Sequence, residues 1–305
     1  MRKESLLIVL SYLTIYIVWG STYFFIKMAV ATIPSFYVVG FRWLIGGIAL
    51  LIYSWLSGRI KPWPTAKELL ASLILGTLLL IGGNGLVTIA EKRVDSYFAA
   101  LVLAATPITV ALFDRVLLKK QISLIKLGGI VLGLIGVAAL LYNGKSILGS
   151  FTADVILILT GMTLWSLGTS LGHKIHTPKD VFVNSSIQMI FVGLISLIWA
   201  YFETPNASFT DFTSSSIFGL AYLTIFGSLA FCAYNHLLLH EPAIRITSYS
   251  YINPVIAVVL GLLVGAEKPV PFLMFGLPLI LMGLILMLYG ELLMNKLFRK
   301  TATSN

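Results

Sequence analysis

The chain has 305 residues, of which 58% are hydrophobic and only 11% are charged. Soluble domains carry about 25% charged residues, so this composition excludes an ordinary water-exposed globular protein and indicates a membrane protein. The net charge of +9 does not indicate nucleic-acid binding. The Lys and Arg residues lie in short clusters between apolar segments, where they set the orientation of a membrane protein.

Ten apolar segments, each close to the length of about 20 residues that a helix needs to cross a bilayer, follow one another along the chain. They are continuously apolar and do not alternate in polarity as β-barrel strands do, so we predict an all-α membrane protein. The first segment lacks a clear signal-peptide cleavage site and is interpreted as a retained helix. The predicted helices cover 5–27, 35–56, 68–89, 97–118, 124–143, 152–173, 181–202, 215–238, 244–266 and 271–294.

The distribution of basic residues predicts the orientation of this bundle. If the N-terminus is cytoplasmic, most of the 21 Lys and Arg residues fall on the cytoplasmic side. Arg42 lies within a span, and the outer side receives only Lys27, Lys92, Arg93, Lys145 and Lys268. This asymmetry follows the positive-inside rule and predicts a multi-pass protein of the cell (inner) membrane with both termini in the cytoplasm.

The two halves of the chain resemble each other. The segment 97–141 is similar to 244–288, and one constant offset aligns Pro107 with Pro254, Gly129 with Gly276 and Gly136 with Gly283. An offset shorter by one residue aligns Trp19 with Trp165. We therefore predict two five-helix repeats, 1–146 and 147–305. An odd number of helices per repeat inserts the second repeat upside down, which is a common transporter design.

Several stretches also resemble a known family. They are WGSTYFFIK at 19–27, Pro34, Arg42 in the next helix, and AALVLAATPITVALFDRVLLKKQISLIKLGGIVLGLIGVAALL at 99–141. In their order they resemble the EamA-type transporters of the drug/metabolite transporter superfamily, over nearly the whole chain. The resemblance implies ten helices in two inverted repeats and a central cavity lined by helices 1, 3, 4, 6, 8 and 9. It also implies export of amino acids or other metabolites. One departure is Lys120, where the family often has an acidic residue; Glu267 keeps that pattern in the second half.

Polar and aromatic side chains near the middle of the spans are candidates for solute binding, because such groups are costly in lipid and should face a cavity or protein. The alternative is interhelical hydrogen bonding and packing. The aromatic content suits an organic solute, and the absence of a basic pair argues against a phosphorylated sugar. The candidates are Trp19, Thr22, Tyr23, Asn84, Thr88, Trp165, Thr169, Asn235, Tyr249 and Asn253.

Two prolines and one arginine within spans have other predicted roles. Pro107 and Pro254 are placed in mid-helix, where each removes a backbone donor and acts as a hinge or cavity element or as a static kink. Arg42 lies ~10 Å into the second helix at 1.5 Å per residue. It needs a partner, such as a helix C-terminal carbonyl or Glu91, and we expect a structural clamp rather than solute contact.

The acidic residues limit the energy source. All of them except Asp114 are assigned to loops or helix ends, and a proton-driven transporter usually has a buried titratable group. We therefore predict facilitated diffusion or exchange, with proton coupling through Asp114 as the alternative.

No cofactor is predicted. His236 and His240 share a helix face but lack a reliable third metal ligand, and no phosphate-binding glycine loop is present. The function predicted is a transporter, not an enzyme, that exports amino acids or similar small organic metabolites by alternating access around a midplane cavity. Its partners are the solute and the lipid bilayer. The alternatives are an importer or exchanger of nucleotide-like metabolites and a membrane-embedded lipid-modifying enzyme. The solute, the direction and the oligomeric state stay open.

Overall fold

A computed structural model of the chain describes residues 3–119, 121, 123–142, 152–268 and 272–302. These residues form helices and connecting loops and contain no strand, which confirms the all-α prediction for this part of the chain. The main helices are α1 (Glu4–Ala29), α2 (Ser35–Leu56), α3 (Ala66–Ala90), α4 (Ser96–Leu118), α5 (Leu124–Leu141), α6 (Ala153–Gly172), α7 (Val181–Glu203), α8 (Ser214–His240), α9 (Tyr249–Leu263) and α10 (Leu273–Ala302).

Seven of these helices, α1 to α4 and α6 to α8, are long and apolar enough to cross a membrane. The other three contain shorter apolar helices, at Leu124–Gly136, Ile252–Leu263 and Leu273–Met287. The chain is thus a multi-pass membrane protein, while the inverted topology stays a prediction. Lys120 and Lys145 lie outside the described residues.

Side-chain caps explain where several helices begin. At the start of α3, the Thr65 hydroxyl accepts a hydrogen bond from the Glu68 backbone N–H, and the Glu68 carboxylate accepts one from the Thr65 N–H at 2.8 Å. This reciprocal capping box satisfies two backbone donors that the helix itself cannot. Asp180 caps α7 by accepting from the N–H groups of Phe182 and Val183. At these two helices a polar residue before the apolar run therefore fixes the start, within two residues of the predicted one.

Three of the long helices contain a π-helical segment near the middle. These segments are Ile15–Trp19 in α1, Thr77–Gly85 in α3 and Leu223–Gly227 in α8. A π-helical turn has one extra residue and often marks a functional site. The sequence predicts α-helices for these spans, and the structure corrects that prediction at the three segments, which are π-helical.

Helix α4 is also not regular. Its α-helical hydrogen bonding stops at Leu103 and resumes at Thr106. Pro107 lies in the first turn of the second segment, where a missing N–H costs little because no helix partner exists there. Pro107 therefore follows a break in α4 and does not kink a continuous helix, whereas Pro254 lies inside α9 as predicted.

The bundle is organised around two helix pairs and a central group. Helix α2 packs along α7, and α5 packs along α10. Helices α3 and α4 both pack on α6, while α8 and α9 both pack on α1. The α5–α10 pair approaches closely at glycines, because a methyl group at Gly129 would lie 2.5 Å from the Gly283 carbonyl oxygen. Small residues permit such close backbone contact between membrane helices.

Candidate functional site

A cavity of about 70 Å³ lies at the centre of the bundle. Its lining comes from α1, α2, α3, α4, α6, α8 and α9. Six of the predicted solute-binding residues line it, namely Trp19, Thr22, Tyr23, Asn84, Trp165 and Tyr249. Residues that the sequence analysis did not propose for solute contact also line it, among them Arg42, Trp43, Thr106 and Phe231. The cavity is thus mostly aromatic and apolar, with a few polar groups.

Four rings form a compact aromatic cluster, defined as Trp19, Trp165, Tyr234 and Tyr249. The Trp19 ring centroid lies 5.3 Å from that of Trp165, 5.1 Å from that of Tyr234 and 5.0 Å from that of Tyr249. Aromatic pairs are favourable at these centroid separations. The cluster joins α1, α6, α8 and α9, and Trp19 at its centre contacts the other three rings.

The other four predicted residues lie behind this lining. The Thr169 hydroxyl lies 2.6 Å from the Tyr234 hydroxyl, and Asn235 donates to the Ser185 hydroxyl at 2.9 Å. Thr88 donates to the Asn84 carbonyl oxygen at 2.9 Å, and Asn253 is buried beside Tyr23. The bonds of Thr88, Thr169 and Asn235 are of the interhelical and local kind that was given as the alternative to solute binding.

Arg42 is the charged residue of the cavity. Its side chain is buried, and its Nη1 donates to the Asn84 Oδ1 at 3.2 Å. The guanidinium carbon lies 4.2 Å from the centre of the Trp43 ring, within the range of a cation–π contact. The hydrogen-bond partner is therefore an amide side chain on α3, while Glu91, one of the partners predicted from the sequence, interacts with Arg42 electrostatically.

Two of the three π-helical segments contribute residues to this cavity, and the third passes close to Arg42. Trp19 ends the segment of α1, and Asn84 lies in the segment of α3. Gly227 ends the segment of α8, and a methyl group on it would lie 3.1 Å from the Arg42 Nη2. The irregular turns therefore place the cavity residues, and the glycine leaves room for the guanidinium.

Glu91 is fully buried, with 0% of its surface exposed. It directly follows α3, and neither carboxylate oxygen has a hydrogen-bond partner among the described residues. Burial, and then repulsion by Glu267, raise the pKa of Glu91 well above its usual value, although Lys27 and Arg42 act in the opposite direction. Asp114 is also buried. Glu91 thus lies at a helix end, as the sequence predicts, but it is buried there, so Asp114 is not the only buried acid.

The loops near Glu91 are tied together by polar contacts. The Glu267 carboxylate accepts a hydrogen bond from the Ser96 N–H at 3.0 Å and so caps the start of α4. Lys27 donates to the Val94 carbonyl oxygen at 2.7 Å. Arg93 binds both carboxylate oxygens of Asp154, at 2.9 and 3.0 Å from its Nε. The end of the bundle at which α1 ends is thus held by contacts among α1, α4, α6 and the loops after α3 and α9.

Metal ligands do not cluster in the part of the chain that the structure describes, where no group of three or more His, Cys, Asp or Glu side chains could hold an ion. His236 and His240 do lie together, with ring centroids 4.3 Å apart. The Nδ1 of His240 is 2.7 Å from the His236 carbonyl oxygen. This nitrogen is therefore engaged with the helix backbone.

The chain is similar to a transporter family, to individual proteins and to a solved structure. The model of the EamA-like transporter family matches residues 6–142 and 152–289. The uncharacterized inner membrane transporter YedA of Escherichia coli (strain K12) is 35% identical over 255 residues, which cover 83% of this chain and 81% of that protein. A chloroplastic WAT1-related protein of Arabidopsis thaliana is 23% identical over 257 residues, covering 80% of this chain and 60% of that protein. A solved crystal structure with 18% sequence identity superposes with a TM-score of 0.69 and covers 95% of this chain and 98% of the other.

Proposed function

The chain belongs to the EamA-like transporter family, and on that premise we propose that it exports amino acids or similar small organic metabolites through the central cavity. The observation that carries this proposal is the cavity itself, which is lined by Trp19, Trp165 and Tyr249 of the aromatic cluster and by the polar residues Thr22, Asn84 and Arg42. Binding sites for small molecules are mostly apolar and contain a few placed polar groups. Ring surfaces of this kind suit an organic solute.

Helix packing supports the predicted inverted repeat. Exchanging α1–α5 for α6–α10 turns the contact of α3 with α6 into that of α8 with α1, and the contact of α4 with α6 into that of α9 with α1. Both contacts are present. The pairs α2–α7 and α5–α10 map onto themselves. This is the pattern that a pseudo-twofold axis between the halves would produce.

The matched glycines and tryptophans support the same axis. A methyl group at Gly129 would meet Gly283, and one at Gly136 would meet Gly276, at 2.9 Å from its carbonyl oxygen. Since the sequence aligns Gly129 with Gly276 and Gly136 with Gly283, each of these contacts is the counterpart of the other. Trp19 and Trp165, which also align, are in direct ring contact, as residues close to the axis would be.

We propose that one repeat rocks against the other around the cavity. The break in α4 before Pro107 and the proline inside α9 are the hinge elements of this proposal, because both lie where regular helix hydrogen bonding is interrupted. Both chain ends are proposed to be cytoplasmic, as the positions of the basic residues indicate.

The proposal for energy coupling changes with the burial of Glu91. Facilitated diffusion or exchange was predicted on the premise that Asp114 is the only buried acid, and this premise does not hold. Buried titratable groups serve as proton sites in transporters. Proton coupling through Glu91 or Asp114 therefore stands beside facilitated diffusion and exchange.

Transport by purified protein in proteoliposomes tests the proposed function. A panel of radiolabelled amino acids should enter or leave vesicles faster than in protein-free controls. Trp19→Leu should lower this flux by about tenfold or more, because it removes the ring at the centre of the aromatic cluster. The matched control is Trp55→Leu, since Trp55 is 71% exposed on the outside of the bundle.

The two variants separate binding from general damage. Trp55→Leu should keep the wild-type flux. No flux of any organic solute in the wild type, or an equal effect of the two substitutions, would contradict the proposal.

A further inference from the structure

We propose that Arg42 binds a carboxylate group of the transported solute, and that this contact makes carboxylate-bearing solutes the preferred class. The inference rests on the proposed transport function and names a chemical requirement of the same cavity. It gives Arg42 a direct role in solute selection in place of the structural role expected from the sequence.

Arg42 faces the cavity, and not all of its N–H donors have a hydrogen-bond partner among the described residues. Its side chain is 1% exposed to bulk solvent, yet it forms part of the cavity wall. A guanidinium has five N–H donors. Here Nη1 donates to Asn84, and Nε is buried without a hydrogen-bond partner among the described residues. A buried donor without a partner is costly, and an acceptor on the solute would remove that cost.

The Arg42 guanidinium also lacks a close counter-ion among the described residues. Among the described residues, no carboxylate oxygen lies within 4.0 Å of the Arg42 nitrogens. Glu91 interacts with Arg42 electrostatically, but neither of its oxygens accepts a hydrogen bond from the described residues. A buried charge without a close partner is unfavourable in a low-dielectric interior. An anionic group that enters the cavity therefore meets a cation that no described carboxylate pairs with directly.

The contacts of the Arg42 guanidinium fix the orientation of its plane. Its carbon lies 4.2 Å from the centre of the Trp43 ring, and a methyl group on Gly227 would lie 3.1 Å from Nη2, so α8 passes close beside the group. These contacts, with the hydrogen bond to Asn84, hold the plane of the group. A fixed planar fork matches the two oxygens of a carboxylate better than a point charge does.

The rest of the cavity wall defines the remainder of the solute. The described lining contains no Asp or Glu, so the wall offers no carboxylate partner for an amine. It does offer the rings of Trp19, Trp165 and Tyr249, which suit an apolar or aromatic body. A single basic residue balances one negative charge. The expected class is therefore monocarboxylates with an apolar body, with or without an amino group.

Matched solute pairs test this inference on the full-length protein. The pairs are phenylalanine with phenylalaninamide, and 3-phenylpropionate with 3-phenylpropanamide, which differ in the carboxylate. Each is used to compete with the flux of radiolabelled phenylalanine in proteoliposomes. In the wild type, the carboxylate member should compete at a concentration about tenfold or more lower than its amide, as expected for charge-assisted hydrogen bonds.

Three arginine variants assign the preference. Arg42→Gln should abolish the difference within each pair by weakening the carboxylates alone. Arg42→Lys keeps the charge but loses the planar fork. This variant should still prefer each carboxylate over its amide, but the carboxylates should compete only at higher concentrations than in the wild type. The control is Arg59→Gln, because Arg59 pairs with Asp180 at 3.1 Å outside the cavity and should leave the preference unchanged.

The outcomes separate the two proposals. A wild type that moves no organic solute contradicts the proposed function. A wild type that moves solutes but treats acid and amide alike contradicts the Arg42 inference alone, as does an Arg42→Gln variant that keeps the preference. If Arg42→Gln does not fold, as judged by gel filtration, the wild-type comparison and the Arg42→Lys variant still decide the question.

Discussion

The contact between α5 and α10 yields a sharp prediction about how closely the two halves of the chain pack. A methyl group at position 129 would lie 2.5 Å from the Gly283 carbonyl oxygen and 2.8 Å from the Met287 backbone nitrogen. Both neighbouring atoms belong to the backbone, so no side chain can move aside to relieve the clash. Gly129→Ala therefore forces the two helices apart.

Gly128 provides a matched control on the same helix. A methyl group at that position meets nothing within 4 Å, so Gly128→Ala tests the effect of helix propensity without the clash. Alanine favours a helix over glycine by about 0.8–1.0 kcal/mol, and this gain is common to both variants. Overpacking costs about 1–3 kcal/mol, so Gly129→Ala should be less stable than Gly128→Ala by about that amount.

Reversible unfolding in detergent micelles, followed by circular dichroism during an SDS titration, measures this difference. The counterpart contact extends the test, because Gly136→Ala should resemble Gly129→Ala. Its methyl group would lie 2.8 Å from the Ile280 backbone nitrogen and 2.9 Å from the Gly276 carbonyl oxygen. Equal stability of the Gly128 and Gly129 variants would refute the close crossing on which the proposed pseudo-twofold arrangement relies.

Two further predictions concern the acid beside the cavity and the aromatic cluster. Since burial raises the pKa of Glu91, the folded protein keeps this proton at pH values where the unfolded chain has lost it, and stability should fall as pH rises above about 4.5. Glu91→Gln should flatten that fall in thermal unfolding between about pH 5 and pH 8, and an unchanged slope would argue against a buried, proton-binding Glu91. Tyr234→Phe removes the hydroxyl contact with Thr169 at 2.6 Å and should cost about 1 kcal/mol of stability while it keeps the ring and the transport activity. A large loss of flux in Tyr234→Phe would mean that the hydroxyl itself takes part in solute binding.

The sequence predicted the helices well, because the physical signals for membrane helices are strong and local. Apolar length, proline before α2 and polar caps such as Thr65 and Asp180 act within a few residues of where they occur. The positions of α2 and α7 follow directly from such signals.

The lining of the cavity was only partly predictable, because a polar side chain in a membrane helix can face a cavity or bond to its own helix. Asn84 and Thr88 are both solute-binding candidates in the third predicted helix. Asn84 lines the cavity, whereas the Thr88 hydroxyl donates to the Asn84 backbone carbonyl oxygen one turn earlier, a bond that threonine commonly makes in helices. The sequence does not show which of these two arrangements a given side chain adopts.

The roles of Arg42 and Glu91 depended on long-range packing that no local signal encodes. Depth along a helix can be counted from the sequence at 1.5 Å per residue. This count places Arg42 within a membrane span and Glu91 at the end of one. In the folded chain both are buried. Arg42 is enclosed by Trp43, Asn84 and Gly227, while the residues that follow Glu91 are tied to neighbouring elements through Lys27, Arg93 and Glu267. A helix end is polar surface only if nothing covers it. The end of α3 is covered, and the carboxylate thereby placed near the cavity has an electrostatic effect on the very arginine that we propose selects the solute.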